Sequence, residues 1–117
     1  MKHLNKKITL HRKRDQRRAL IKVMANNLIL FESTKTTPAR AKATQRYVER
    51  LISRAKKQDL TAYRYILARL SKKATNKLYY EIAKNYMDRN GGFTRIVKLA
   101  ERRLKDKSPM VIIQLVK

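Results

Sequence analysis

The stretch from Thr37 to Lys57 has the clearest apolar period in the sequence, and it predicts one helix with a single buried face. Thr37 can cap this helix, and Pro38 suits its first position because the amide hydrogen that proline lacks has no partner there. At 100° per residue, the residues on one side are Ala41, Thr44, Val48, Leu51, Ile52 and Ala55, with Tyr47 at the margin. A helix from Pro38 to about Lys57 must therefore bury one face against a second layer.

Three further helices are predicted around this one. Asp15 can cap the first, whose predicted buried face consists of Leu20, Val23, Met24, Asn27, Leu28 and Phe31. Asp59 can cap a third, with Leu60, Tyr63, Leu67 and Leu70 inward. Ser71 can cap a fourth, with Leu78, Tyr79, Ile82 and Tyr86 inward. Gly91 and Gly92, the only glycines, follow the fourth helix where a left-handed terminal residue is needed.

The remaining apolar segments have the two-residue period of strands. In the C-terminal segment Val111, Ile113 and Leu115 form a wholly apolar set, which is predicted to face the core. A second strand is predicted over residues 93–100, and residues 101–108 form a charged hairpin loop between the two. Residues 32–36 are extended in character and could form an edge strand. The predicted fold class is α+β, with two layers in the order α-β-α-α-α-β-β.

Two parts of the chain are distinguished by their apolar content. Residues 1–13 lack a convincing apolar period, so we expect a basic tail that is disordered in the free protein. Residues 14–117 are predicted to form a single globular domain that carries the binding surface.

The charge of the chain predicts the class of its partner. Thirty-one Lys and Arg against eight Asp and Glu leave a net charge of +23, which indicates a polyanion. Nucleic acid and an anionic membrane are the candidates, but no apolar run approaches the ~20 residues that a spanning helix needs. Because the chain has no cysteine, it can form neither a disulfide nor a thiolate metal site.

Basic side chains form rows on two predicted helices. Lys42, Arg46, Arg50 and Arg54 follow one another at i, i+4 on the second helix, opposite its apolar face. Each neighbouring pair of like charges costs a helix roughly 0.2–0.5 kcal/mol, and bound phosphates would reverse that cost. A solvated face is the alternative, although such faces usually mix both signs. The first helix repeats the pattern with Arg14, Arg18 and Lys22.

A wider set of residues is predicted to contact RNA. Arg17 lies on the apolar side of the first helix, and it either extends along the edge of the core or projects into RNA. The whole set consists of Lys2, His3, Lys6, Lys7, His11, Arg12, Lys13, Arg14, Arg17, Arg18, Lys22, Lys35, Thr36, Thr37, Arg40, Lys42, Arg46, Arg50, Arg54, Arg95, Arg102 and Arg103.

Little in the sequence is suited to reading bases. Tyr65 and Tyr80 are the tyrosines outside the core spacing, and each could stack on a base or pack at a margin. The sequence has no aromatic strand motif of the RNP type and no Cys/His zinc spacing. We therefore expect recognition of backbone and shape, as in structured RNA.

Several segments together resemble one protein family. They are Thr36-Thr37, Arg40-Ala41-Lys42, "ERLISRAK" from Glu49 to Lys56, "RNGGFTRIVKL" from Arg89 to Leu99, and the "MKH" and "SPMVIIQLV" ends. These resemble the family of bacterial large ribosomal subunit protein seventeen. The chain departs from the family pattern at Thr34, where an aliphatic residue is usual, and in lacking a glycine in the tail and in the hairpin loop.

The resemblance implies a structural constituent of the large ribosomal subunit that supports translation in the bacterial cytoplasm. It also implies binding to large-subunit rRNA near the nascent-chain exit, beside other ribosomal proteins such as large-subunit protein thirty-two. Which rRNA helices are contacted does not follow from it.

Two other classes of function are weighed against this one. A DNA-binding architectural protein is compatible with the charge, but the sequence offers no obvious exposed apolar wedge. An enzyme is not expected, because His3 and His11 lie in the tail and the eight acids are scattered. No cofactor, metal or small-molecule substrate is predicted.

Overall fold

The structure is a computed structural model and describes residues 9–116. Its elements are α1 (Arg14–Phe31), β1 (Ser33–Thr36), α2 (Pro38–Ala55), α3 (Leu60–Leu67), α4 (Lys72–Lys77), a π-helical turn (Leu78–Ile82), α5 (Ala83–Asn85), β2 (Thr94–Arg102) and β3 (Pro109–Leu115). The stretch from α4 to α5 is continuous and corresponds to the predicted fourth helix. The predicted α+β class and the order of elements are confirmed.

A three-stranded antiparallel sheet forms one layer. Its strand order is β1-β3-β2, so β3 is central and β1 is an edge strand, as predicted. Val111, Ile113 and Leu115 are buried, which confirms the predicted inner face of β3. β2 continues to Arg102, with an irregular register after Lys98. The hairpin loop is therefore shorter than the predicted 101–108.

Helix α2 packs against the sheet and against α1, α3 and the fourth helix. All six residues predicted for its apolar face are buried, and Tyr47 at the margin is half-buried. Thr37 occupies the N-cap position with extended backbone angles, and Pro38 follows it, as predicted. The Thr37 side chain, however, accepts no capping hydrogen bond.

The predicted start of α1 is wrong, and its predicted buried face is confirmed only at Met24 and Leu28. Lys13 is the N-cap residue. Asp15 lies within the first turn, where its negative charge is attracted to the positive end of the helix. Buried positions on α1 are Met24, Ala25, Leu28 and Ile29. Val23 and Phe31 are 55% and 73% exposed instead. Apolar residues occur around much of this helix, so the neighbouring elements decide which of them become core.

The predicted buried face of α3 is also wrong, except at Leu70. Ala62 and Ile66 are the buried residues of the helix, whereas Leu60 and Leu67 are exposed. Tyr63 is half-buried at the margin, where its hydroxyl donates to Asn76 Oδ1 at 2.6 Å. The small Ala62 side chain lets α3 approach its neighbours closely. The predicted Asp59 cap is confirmed, since its Oδ1 accepts from the Ala62 amide at 2.6 Å.

The fourth helix has the predicted beginning but a different end. Ser71 Oγ accepts from the Ala74 amide at 3.3 Å, which confirms the cap. Of the four predicted inward residues, Leu78, Ile82 and Tyr86 are buried, and Tyr79 is only half-buried. The helix ends at Asn85, so the glycines do not terminate it. Gly92 is left-handed with φ +63°, but it lies in the loop that leads into β2.

Candidate nucleic-acid interface

The basic row of α2 lies opposite the core. Lys42, Arg46 and Arg50 are exposed, and Arg54 is half-buried. Successive members are one turn apart, about 6 Å along the helix axis. None of the four forms an ion pair with a carboxylate within residues 9–116. The row is therefore a strip of positive charge that no described acid compensates.

Glu49 is the acid nearest to this row in sequence, but its carboxylate is engaged elsewhere. Glu49 Oε1 accepts hydrogen bonds from the Thr94 amide at 3.2 Å and from the Thr94 hydroxyl at 3.0 Å. Gln45 Nε2 also donates to the Thr94 carbonyl at 3.5 Å. These bonds attach α2 to the beginning of β2, so Glu49 serves the packing of the two layers.

The beginning of α2 adds further positive charge. Its first turn contains no acid, and Arg40 is half-buried beside the positive end of the helix. Thr37 is half-buried, whereas Thr36 is buried in the sheet and is the least accessible of the predicted contacts here. Lys35 Nζ lies 3.8 Å from Glu101 Oε2, so its charge is partly compensated.

The second basic row lies on α1. Arg14, Arg18 and Lys22 are all exposed. Arg17 is half-buried, and its Nη1 donates to the Arg12 carbonyl at 3.2 Å, which fixes the chain just before the helix. Its contact with RNA stays a prediction. The remaining predicted residues before α1 are His11, Arg12 and Lys13, of which Arg12 is half-buried and the other two are exposed.

Arg95 lies apart from the helical rows. Arg95 pairs with Gln114 in the sheet, and both lie on the sheet face that points away from the helices. With the Gln114 amide oriented to satisfy both groups, its oxygen accepts from Arg95 Nε at 3.2 Å and from Nη2 at 2.6 Å. Arg95 and the helical rows therefore occupy different sides of the molecule.

The β2–β3 hairpin carries Arg102 and Arg103 at its tip. Arg103 donates to both carboxylate oxygens of Asp106, at 2.9 Å and 2.6 Å. These bonds, and those from Ser108, hold the pKa of Asp106 well below its usual range. Arg102 Nη1 donates to the Lys107 carbonyl at 3.0 Å. The charge of Arg103 is therefore compensated locally, whereas Arg102 has only a neutral partner among the described residues.

Leu104, in the same hairpin, is 89% exposed. The expectation that the chain offers no exposed apolar wedge is therefore wrong. Sequence patterns did not reveal Leu104 because it belongs to no apolar period. Basic residues precede and follow it in the loop.

The structure brings two further residues to the basic surface that the predicted contact set did not contain, Tyr65 and Arg69. Arg69 Cζ lies 3.6 Å from the centre of the Tyr65 ring, and Arg54 Cζ lies 4.2 Å from it. The i, i+4 spacing of Tyr65 and Arg69 was a signal for the first contact. Nothing in the sequence indicated the second, because it depends on how α2 and α3 pack.

Tyr80 differs from Tyr65 in its surroundings. Its side chain is 55% exposed, and its ring meets that of Tyr79 edge-on at 4.9 Å between centres. Tyr63 lies beside both rings. Tyr80 thus belongs to an aromatic cluster formed by α3 and the fourth helix.

Some of the predicted contact residues lie outside the described part of the chain, and the searches for a metal site and a membrane helix cover only that part. Lys2, His3, Lys6 and Lys7 lie outside the described residues, as does most of the tail that we expect to be disordered. Within residues 9–116, no group of three or more His, Cys, Asp or Glu could hold a metal ion. In the same part of the chain, no helix is long and apolar enough to cross a membrane.

Comparisons with known proteins agree with the resemblance found in the sequence. The family model described as Ribosomal protein L17 matches residues 20–116. Large ribosomal subunit protein bL17 of Hydrogenobaculum sp. (strain Y04AAS1) is 44% identical over 99% of this chain and 99% of its own length. The protein of the same name from Thermus thermophilus is 41% identical, again over 99% of each chain. The protein of the same name from Campylobacter lari is 44% identical over 99% of this chain and 99% of its own length.

Proposed function

Because this chain belongs to the ribosomal protein L17 family, we propose that it binds large-subunit rRNA and stabilises it through the basic faces of α1 and α2. Members of this family are structural, non-enzymatic proteins of the large ribosomal subunit. In this proposal the N-terminal tail adds contacts between RNA helices, and the protein acts in translation in the bacterial cytoplasm.

The observation that carries the proposal is the uncompensated row on α2. Lys42, Arg46 and Arg50 are exposed, and no carboxylate pairs with them within residues 9–116. In a free protein these charges repel one another, and Arg40 in the first turn opposes the positive end of the helix. Phosphates spaced along an RNA backbone would turn both penalties into attraction, because a turn of helix is close to the spacing of successive phosphates.

Ribosomal proteins next to this one in the subunit are further proposed partners. Large-subunit protein thirty-two is the neighbour that the family resemblance suggests. Co-sedimentation with large subunits, followed by crosslinking of Arg46 and Arg14, would identify what each basic row touches. Crosslinks from both positions to protein alone would contradict the proposed RNA interface.

Affinity as a function of salt tests the role of the row. We expect the affinity for a bacterial large-subunit rRNA transcript to fall by roughly 0.7–0.9 log units per phosphate contact for each tenfold rise in salt. The variant Lys42→Gln/Arg46→Gln/Arg50→Gln should reduce the slope of log affinity against log salt by about 2–3.

The matched control removes the same charge from the fourth helix, as Lys72→Gln/Lys73→Gln/Lys84→Gln. These three lysines are exposed. A smaller change of slope in the control would support the row as the interface. Equal changes in the two triple variants would contradict it, because only total charge would then matter.

A DNA-binding architectural protein is the second candidate, and the exposed Leu104 favours it. Proteins of that class insert apolar side chains between base steps. Competition between duplex DNA and the rRNA transcript separates the two candidates. A preference for the transcript would support the ribosomal role, and equal affinity would support DNA packaging.

A further inference from the structure

We propose that Arg54 and Arg69, held over the ring of Tyr65, form a pair of phosphate contacts that joins the basic faces of α2 and α1 into one RNA track. This inference rests on the proposed RNA binding. It assigns a role to Tyr65 and Arg69, and it makes Tyr65 a positioning residue, not a platform for bases.

The stack is anchored on the core. Tyr65 is half-buried and packs against the apolar cluster, so the position of its ring is fixed by the fold. Arg54 from α2 lies 4.2 Å from the ring centre and Arg69 lies 3.6 Å from it. Arg69 Nη1 also donates to the Tyr65 carbonyl at 3.1 Å. Two long side chains that would otherwise be mobile are thereby held in defined positions.

The stacked arrangement leaves the guanidinium groups able to bind an anion. A cation–π contact uses the face of the guanidinium plane, while its N–H donors point outward in that plane. Arg69 commits one of its five donors to the Tyr65 carbonyl, which leaves the others available. No carboxylate within residues 9–116 forms an ion pair with Arg54 or Arg69. Under the proposed rRNA binding, the anion that these guanidinium groups bind is a phosphate of the RNA backbone.

The location of the stack connects two grooves. One groove is lined by Arg46, Arg50, Arg54 and Tyr65, among others. The other is lined by Arg18, Lys22, Tyr47 and Arg69, together with Ile21 and Ala68. Tyr65 contacts one arginine that lines each groove, so the stack links the groove beside the α2 row to the groove beside the α1 row.

The same geometry argues against base stacking on Tyr65. A base would have to displace a guanidinium group from the ring, with loss of its cation–π contact. The alternative that the stack only fastens α3 to α2 predicts a change in stability without a change in RNA binding. The slope of affinity against salt distinguishes that role from phosphate binding.

The first test removes the charges. In the full chain, Arg54→Gln/Arg69→Gln should lower the salt slope for the rRNA transcript by about 1.4–1.8, and lower affinity at 0.1 M salt by roughly five- to eightfold per contact. The matched control Lys72→Gln/Lys73→Gln should change the slope less. A slope equal to that of the unaltered protein would overturn the inference and leave the proposed function standing.

The second test keeps the charges and removes the ring. Tyr65→Leu should weaken binding by roughly two- to tenfold, because the two arginines must then be ordered on binding. Tyr65→Phe, which keeps the aromatic face, should recover most of that loss. Arg54→Lys/Arg69→Lys keeps the charge and loses the planar stack without altering the core, so it should weaken binding in the same way.

Unfolding by urea, followed by circular dichroism, identifies the conditions in which each variant is folded. Unchanged affinity in both Tyr65→Leu and Arg54→Lys/Arg69→Lys would overturn the positioning role. If the unaltered protein bound the transcript without dependence on salt, the proposed function itself would fail, and this inference with it.

Discussion

Glu32 ends α1 in a conformation that glutamate rarely adopts. Its φ is +65°, and its amide donates to the Leu28 carbonyl at 2.7 Å to close the helix. The left-handed region costs a residue with a Cβ about 1–2 kcal/mol, and a carboxylate is also unfavourable at the negative end of a helix. The side chain is exposed, so nothing in the core requires it.

We expect Glu32→Gly to raise the free energy of unfolding by about 1 kcal/mol, after allowing for the greater freedom of glycine in the unfolded chain. Urea unfolding at fixed pH measures the change. Glu32→Ala is the matched control, since it removes the carboxylate but keeps the Cβ. Its free energy of unfolding should rise by only a few tenths of the rise expected for Glu32→Gly. Equal gains in both variants would show that charge, and not the backbone, sets the cost.

Local chemistry explains which residue-scale features could be predicted. The caps at Asp59 and Ser71 follow from the sequence because each side chain bonds an amide three residues on. Gln58 is also left-handed, at φ +55°, but its Nε2 donates to the carbonyls of Ala55 and of the distant Tyr79, both at 2.9 Å. A contact between separate helices leaves no local pattern, so the conformation at Gln58 could not be predicted.

The helices differ in how well the sequence predicts their buried faces. On α2 the apolar residues occupy one side and charged residues the other, so only one face can be core. On α1 the apolar residues run around most of the helix, and several faces fit the same period. On α3 the core position is Ala62, which an apolar pattern does not distinguish from a surface alanine. The period thus predicts the helices, and the neighbouring elements choose the faces.

The corrected face of α3 leads to a prediction. Ala62 is buried where α3 meets its neighbours, so Ala62→Leu should destabilise the protein by about 1–3 kcal/mol through overpacking. Leu60→Ala, at an exposed position of the same helix, should change stability by less than about 0.5 kcal/mol. Thermal and urea unfolding measure both. A larger loss of stability in Leu60→Ala than in Ala62→Leu would indicate that Leu60, and not Ala62, faces the core, as the sequence pattern predicts.

At the scale of the whole molecule, the positive charge includes two helical rows whose i, i+4 spacing is visible in the sequence. The apolar period of α2 places its row opposite the core, whereas that of α1 does not decide the face; every member of the two rows is exposed except Arg54, which is half-buried. The link between the rows could not be predicted, because Arg54 and Arg69 meet only through the packing of α2 on α3. Non-local packing therefore determines the continuity of the surface, although local periods determine its parts.

A net charge of +23 also means that salt should act in opposite directions on the free and the bound protein. In the free chain, salt screens repulsion between the cations, so the unfolding midpoint should rise with added sodium chloride. In the complex, salt competes with phosphate contacts and weakens binding. The variant Lys42→Gln/Arg46→Gln/Arg50→Gln should stabilise the free protein by about 1 kcal/mol at low salt, because it removes the repulsion within three like-charged i, i+4 pairs.

The same variant should show a flatter dependence of unfolding on salt while it binds the rRNA transcript more weakly. Opposite effects on stability and binding are the signature of charges kept for a polyanion, because a merely solvated face has no reason to destabilise its own helix. Urea unfolding and transcript binding, each over a series of salt concentrations, give the two measurements. If the variant proved less stable than the unaltered protein at low salt, the row would be contributing to the fold, and the electrostatic reason for assigning it to RNA would be lost.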